Sequence, residues 1–192
     1  AFLERLRTEN PPRALIHMLA VHDLPPIGDA VFEIRRSDNQ GGKSALILPD
    51  VAACPDCLAD VADADNRRHN YPFTNCTNCG PRFSIIEALP YDRPNTTMRG
   101  FVMCPRCQSE YENPLDRRFH AQPNACPVCG PHIELWDVSG AVLAAGDDAL
   151  AAAATALRAG DVVAVKGLGG FLLMADAAND ATLARLRQRK PR

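Results

Sequence analysis

Eight cysteines are the residues of this 192-residue chain best suited to chemistry, and all fall into C-x2-C pairs: Cys54/Cys57, Cys76/Cys79, Cys104/Cys107 and Cys126/Cys129. The spacers between pairs are eighteen, twenty-four and eighteen residues. An eighteen-residue spacer lies in the range of a four-thiolate zinc site. Two cysteines three positions apart can bend a tight turn around one tetrahedral ion at a Zn–S distance of about 2.3 Å, and a second turn completes the shell. Such a closed site keeps no open position for water, so the expected role of the metal is to hold the fold. Zinc-finger peptides gain about 10–16 kcal/mol from the metal at neutral pH, enough to decide whether a small module folds. His69, His120 and His132 are the alternative donors, each able in principle to replace one thiolate.

Residues 54–81 align without a gap on 104–131. Beyond the cysteines, Pro55 meets Pro105, Asp60 meets Glu110, Arg67-Arg68 meets Arg117-Arg118, and Gly80-Pro81 meets Gly130-Pro131. An offset of fifty that preserves these together is an internal duplication. It implies two similar zinc modules. Gly80 and Gly130 leave the second turn of each module where a positive φ can be needed, and the following proline stiffens the exit.

Disulfides and redox pairs are the competing uses of cysteine. Disulfides suit secreted chains, and "AFLERLRTENPPRALIHMLA" has no continuous apolar core of the kind a signal peptide or membrane span needs. A thioredoxin-like motif needs one C-x-x-C beside a βαβ unit, and four copies in a duplicated frame fit that poorly. The expected location is the cytoplasm.

Charge argues about partners. The formal net charge is −2. Between Cys54 and Pro131 there are eight Arg, no Lys and nine Asp or Glu, and each four-thiolate zinc centre adds a formal −2. Phosphate backbones require the opposite sign, so nucleic acid is disfavoured as the partner of the cysteine modules.

The flanks carry the supporting elements. "FLERLRTENPPRALI" places Phe2, Leu3 and Leu6 on one helical face that breaks at Pro11-Pro12. "IHMLAVHDL" and "AVFEIRRS" then read as strands. Opening mid-helix without a Met, the chain reads as a piece of a longer protein. Gly42-Lys43-Ser44 ends like a P-loop, but Ser37 stands where the motif needs its first glycine, and Leu48-Pro49 follows where a helix should open. It is expected to be a linker turn.

After the cysteines, "IELWDVSGAVL" reads as a hairpin turning at Ser139-Gly140. "DDALAAAATALRAG" reads as a helix capped by Asp147 or Asp148 and ended by Gly160. "DVVAVKGLGGF" is an apolar strand running into a glycine turn, expected to lead to a helix in the manner of phosphate-cradling loops. Leu172 occupies the third glycine position of the dinucleotide fingerprint. Lys166 at the strand end, and five basic residues among the last eight, nonetheless make an anion site there an expectation.

The order of these parts, with the runs "YPFTNCTNCGPRFSII", "LPYDRPNTTM", "NPLDRRFHAQPNACPVCGP", "VVAVKGLGGFLLMADA" and "LRQRK", resembles over essentially the full length the HypF family of carbamoyltransferases that mature nickel-iron hydrogenases. The resemblance implies an α+β chain: a double four-cysteine zinc-finger module flanked by part of an acylphosphatase-like, ferredoxin-like α/β unit and by the beginning of a YrdC-like α/β domain. It divides the sequence into residues 1–37, the end of the acylphosphatase-like domain; 38–53, a linker; 54–135, tandem fingers at 54–79 and 104–129; and 140–192, the opening of the YrdC-like nucleotide-binding domain.

In that family carbamoyl phosphate is hydrolysed, ATP is used to form a carbamoyl-adenylate, and the carbamoyl group passes to the C-terminal cysteine of the partner HypE for cyanide-ligand synthesis. The resemblance therefore implies two structural Zn2+ on the eight cysteines. It further implies an ATP side formed by Lys166, Gly167, Gly169, Gly170, Arg189 and Lys190, with no complete catalytic site in the chain itself. A stand-alone zinc module for protein docking, or an RNA binder of the kind YrdC-like domains include, is the competing reading.

Overall fold

A computed structural model describes residues 1–10, 14, 16–26, 28, 31, 49–80 and 82–190. Helix α1 (Phe2–Thr8) opens the chain, with Arg5 paired to Glu9 one turn on. Ile16–Leu24, expected as a strand, takes no strand conformation. Apolar content alone does not make a strand; a ladder partner does, and Met18 and Leu24 are exposed. The second expected strand lies outside the described residues except for Val31, as does Gly42-Lys43-Ser44.

The duplication read from sequence is a duplication of structure. Helices α2 (Pro55–Ala62) and α3 (Pro105–Glu112) each begin at the proline that follows a cysteine. A first helical position is where proline's missing N–H costs nothing and its fixed φ helps. The turns that follow repeat bond for bond. Asn66 N–H donates to Asp63 O as Asp116 N–H does to Asn113 O, and Asn70 N–H donates to Val61 O as His120 N–H does to Tyr111 O. Asn70 and His120 also share a left-handed backbone, with φ of 56° and 52°, a conformation in which Asn and His are several-fold enriched.

The chain forms two compact units. The first comprises Ala1–Cys54, Asn75–Gly100 and Ser109–Asn124, and the second Pro55–Thr74, Phe101–Gln108 and Ala125–Arg192. Within the first, "LPYDRPNTTM" becomes short 3-10 turns, among them Arg93–Asn95 and Thr97–Gly100. Arg93 is the brace there. Its backbone N–H donates to Gln122 Oε1 at 2.7 Å, and its guanidinium donates to the carbonyls of Gln122 and Asn124 at 2.6 and 2.9 Å.

In the second unit, β1 (Glu134–Trp136) and β2 (Val142–Ala145) form the expected antiparallel hairpin, with Gly140 at φ 89° in its turn. Helix α4 (Gly146–Arg158) packs on this hairpin and on β3 (Val163–Gly167). Its N-cap is Ala145, with no side-chain cap; Asp147 and Asp148 stand inside the first turn, where their charge favours the helix dipole. The expected aspartate cap is thus corrected, and the cause is the directness of the β2–α4 junction: the helix begins at Gly146, with its cap two residues before Asp147.

A larger correction concerns the glycine turn. Strand β4 (Gly170–Met174) returns antiparallel to β3, pairing Lys166 with Phe171 and Gly167 with Gly170. Leu168-Gly169 is therefore the tip of a hairpin and not a strand-to-helix loop. "GFLLM" is apolar and extended, and a strand at that point pairs immediately with its predecessor. Helix α5 (Asp180–Arg189) comes only afterwards, capped by Asn179, whose Oδ1 accepts from Thr182 N–H at 3.0 Å. Thr182 Oγ1 in turn donates to Gly160 O at 2.8 Å, tying α5 to the end of α4. Replacing Asn179 by Ala leaves the first turn of α5 without its acceptor and is expected to cost about 1 kcal/mol in denaturant unfolding; an unchanged midpoint would show that the cap carries no stability.

Candidate metal centres

Helices α2 and α3 and the two CGP turns bring the eight cysteines into two groups. The Sγ atoms of Cys54, Cys57, Cys76 and Cys79 all lie within 4.8 Å of one another, as do those of Cys104, Cys107, Cys126 and Cys129. Individual separations are 3.6 Å for Cys54–Cys76, 3.8 Å for Cys104–Cys126 and Cys126–Cys129, and 3.6 Å for Cys107–Cys129. A disulfide would need about 2.05 Å. A tetrahedron with Zn–S bonds of about 2.3 Å has edges of about 3.8 Å. All eight cysteines are free thiols, most of them buried, and their spacing fits the metal.

The expected alternative donors stand elsewhere: among the described residues both groups consist of cysteine alone. His120 packs its ring on Tyr111 and Phe119, with centroids 4.8 and 4.5 Å away. His69 and His132 line a cavity of about 300 Å³ with Tyr71, Phe73 and the start of α4.

Toward protons the sulfurs of the second group are unequal. Burial pushes the Cys107 thiol up to about 12 against the hydrogen bond from Arg67. Burial also opposes ionisation of Cys104, but the Cys107 backbone N–H and neighbouring thiols hold it down at about 6. Four adjacent sulfurs share out their charge because like charges cannot all ionise side by side. A divalent cation removes that conflict, which is why this donor set suits one.

Arginines complete each centre, and each comes from the opposite repeat. In the second unit Arg67 donates from Nη1 and Nη2 to Cys107 Sγ at 3.4 and 3.3 Å. Arg68, only 2 % exposed, donates from Nε to Ala125 O at 2.9 Å and from Nη2 to Cys107 Sγ at 3.7 Å. In the first unit Arg118 Nε donates to Asn75 O at 3.1 Å, and Thr77 N–H donates to Arg117 O at 3.0 Å. Arg118 and Asn75 stand fifty residues from Arg68 and Ala125, so the two buried bonds are the same bond made twice in opposite directions. Tyr71 closes the second centre by donating to Pro131 O at 3.2 Å. At Gly130 any Cβ would collide with Tyr71 Oη and Ala125 Cβ, so glycine is required there for close approach. Sequence alone showed these arginines matched across the repeat and gave them no role; the signal was an Arg-Arg step repeated in both halves of a stretch without lysine.

The HypF finger family matches residues 53–86 and 103–136, one copy over each cysteine group. Each cysteine group thus lies in a HypF finger. A family described as "Telomere recombination", the Sua5/YciO/YrdC group, matches residues 155–192. A carbamoyltransferase HypF of Rhodobacter capsulatus is 50 % identical over 100 % of this chain and 25 % of its own length. The crystal structure of T.kodakarensis HypF superposes with a TM-score of 0.86 at 49 % identity, covering 100 % of this chain and 24 % of that one. A full-length HypF in a phosphate- and nucleotide-bound form gives a TM-score of 0.84 at 43 % identity, covering 100 % and 25 %. The chain thus spans about a quarter of the length of the HypF relatives it matches. Two four-cysteine groups inside two HypF fingers support two zinc ions.

The sequence-expected nucleotide residues fall into two places. Lys166, Gly167, Gly169 and Gly170 belong to the β3–β4 hairpin, with Lys166 Nζ 5.8 Å above the Phe171 ring. Arg189 ends α5 and Lys190 is its C-cap. Among the described residues no hydrogen bond or ion pair joins the two places. Metal analysis is expected to return two zinc per chain. Excess chelator is expected to abolish hydrogen-exchange protection across 54–135, whereas protection that survives metal removal would show that the fingers stand on packing alone.

Proposed function

We propose that the chain is the zinc-braced section of a carbamoyltransferase that uses carbamoyl phosphate and ATP to form a carbamoyl-adenylate and transfers the carbamoyl group to the C-terminal cysteine of HypE. The observation that carries this reading is full-length similarity, at about half identity, to a protein named carbamoyltransferase HypF. A related structure described as phosphate- and nucleotide-bound supports the use of ATP. In this reading residues 1–37 close an acylphosphatase-like domain, 38–53 link it to the fingers at 54–135, and 140–192 open a YrdC-like domain.

Each finger holds one Zn2+ on its four cysteines, Cys54, Cys57, Cys76 and Cys79 in one and Cys104, Cys107, Cys126 and Cys129 in the other. The metal fixes the fold and does no bond chemistry, because four thiolates leave no position for water or substrate. Lys166 and the glycine tip Gly167–Gly170 face the nucleotide, where backbone N–H groups and one ammonium recognise phosphate oxygens. Arg189 and Lys190, at the end of α5, add positive charge toward the nucleotide. The chain alone turns over nothing, and the whole protein works in the cytoplasm; no helix among the described residues is long and apolar enough to cross a membrane.

The test uses the whole protein. Carbamoyl-phosphate-dependent release of AMP and pyrophosphate from ATP is expected, and Lys166→Ala is expected to lower kcat/KM for ATP by about tenfold or more, each tenfold being about 1.4 kcal/mol of binding in the transition state. An unchanged kcat/KM would remove Lys166 from the nucleotide side. Absence of carbamoyl-phosphate-dependent cleavage would overturn the proposed reaction.

A further inference from the structure

Neither finger is complete on its own residues. Residues 58–74 lie between the two cysteine pairs of the first repeat, yet together with Cys57 they belong to the unit that holds Cys104, Cys107, Cys126 and Cys129. This is the stretch whose Arg67 and Arg68 donate to Cys107 Sγ and Ala125 O. Conversely, 109–124 lies between the cysteine pairs of the second repeat and belongs to the unit that holds Cys54, Cys76 and Cys79. It supplies Arg118 to the Asn75 carbonyl and the Arg117 carbonyl to Thr77 N–H, on either side of Cys76.

We infer that the two zinc sites bind cooperatively, each metal ordering the arginine segment that braces the other site. This rests on the reading that both cysteine groups hold zinc. The physical route is short. Filling the first site pins both ends of segment 58–75, because Cys54/Cys57 and Cys76/Cys79 close onto one ion. The entropy of closing that loop is then already spent when Arg67 and Arg68 dock on the second site. Once docked, their guanidinium groups face a centre of formal charge −2, and charge-assisted bonds to thiolate sulfur and carbonyl oxygen favour the metal-bound form over the protonated one. Buried Arg68 and Arg118, at 2 % and 6 % exposure, need that partner as much as the metal needs them. Filling the second site acts on the first through 109–124 in the same way. Linkage requires the two effects to be equal in size.

The experiment is native mass spectrometry of the full chain, stripped and then given one equivalent of zinc. Two equal, independent sites would place about half of the molecules in the one-zinc form, and unequal ones more. Cooperative sites place less than half there, with zero- and two-zinc chains in excess. A one-zinc fraction of half or more, with the zinc shared equally between the two cysteine groups by mapped alkylation, overturns the coupling, and a chain that takes up no zinc overturns the metal reading beneath it.

Arg68→Ala, which leaves all eight thiolates in place, is expected to raise the one-zinc fraction to half or above and to weaken zinc at the second site by about tenfold to a hundredfold. Mapped alkylation of Cys126 and Cys129 ahead of Cys76 and Cys79 locates that loss. If the one-zinc form of Arg68→Ala stays as scarce as in the parent chain, Arg68 is not the coupling residue. Arg118→Ala, its counterpart, is expected to reverse the order of alkylation.

Discussion

Like charges held close together are the constraint on which this structure depends. Four sulfurs within 4.8 Å can be thiolates together only if a cation sits among them. Zinc would resolve most of the repulsion and leave a formal −2, which the guanidinium groups of Arg67 and Arg68 answer at Cys107. Much of the rest of the module follows: the tight cysteine turns, the glycine that lets Tyr71 approach, and the two segments that deliver arginine.

The same constraint explains the poverty of the core. Among the described residues, five of the eleven buried apolar side chains are cysteines, and the large ones are Tyr71, Ile85 and Met98. Against these stand buried Arg68, Asn75, Thr96, Arg118, Gln122 and Asn124. A hydrophobic interior of that size stabilises little once chain entropy is set against it, so metal ligation and clamps such as Arg93 on Gln122 and Asn124 carry the structure. Polar clamps also specify geometry: Asn70 and His120 can hold a left-handed backbone because Val61 and Tyr111 carbonyls fix their N–H groups.

What could be read in the sequence follows from how local each signal is. The cysteine spacing, the fifty-residue offset, the Gly140 turn and the Gly160 helix end are all set by near neighbours, and each stands in the structure; helices α2 and α3, starting at Pro55 and Pro105, were not read from the sequence. The exchange of arginine segments could not be read, because Arg68 meets Ala125 fifty-seven residues away and no pattern announces which repeat a segment will serve. The turn at Gly167–Gly170 misled for a related reason. Strand and turn were legible, but whether the chain then returns as β4 or enters a helix depends on pairing with β3. Ile16–Leu24 shows the converse, apolar content without a strand partner among the described residues.

The central claim is that metal bound by sulfur alone holds the fingers. X-ray absorption at the zinc edge tests it most directly. The account predicts four sulfur neighbours per zinc at about 2.3 Å and no lighter donor. A shell containing nitrogen or oxygen, from His69, His120, His132 or water, would contradict it.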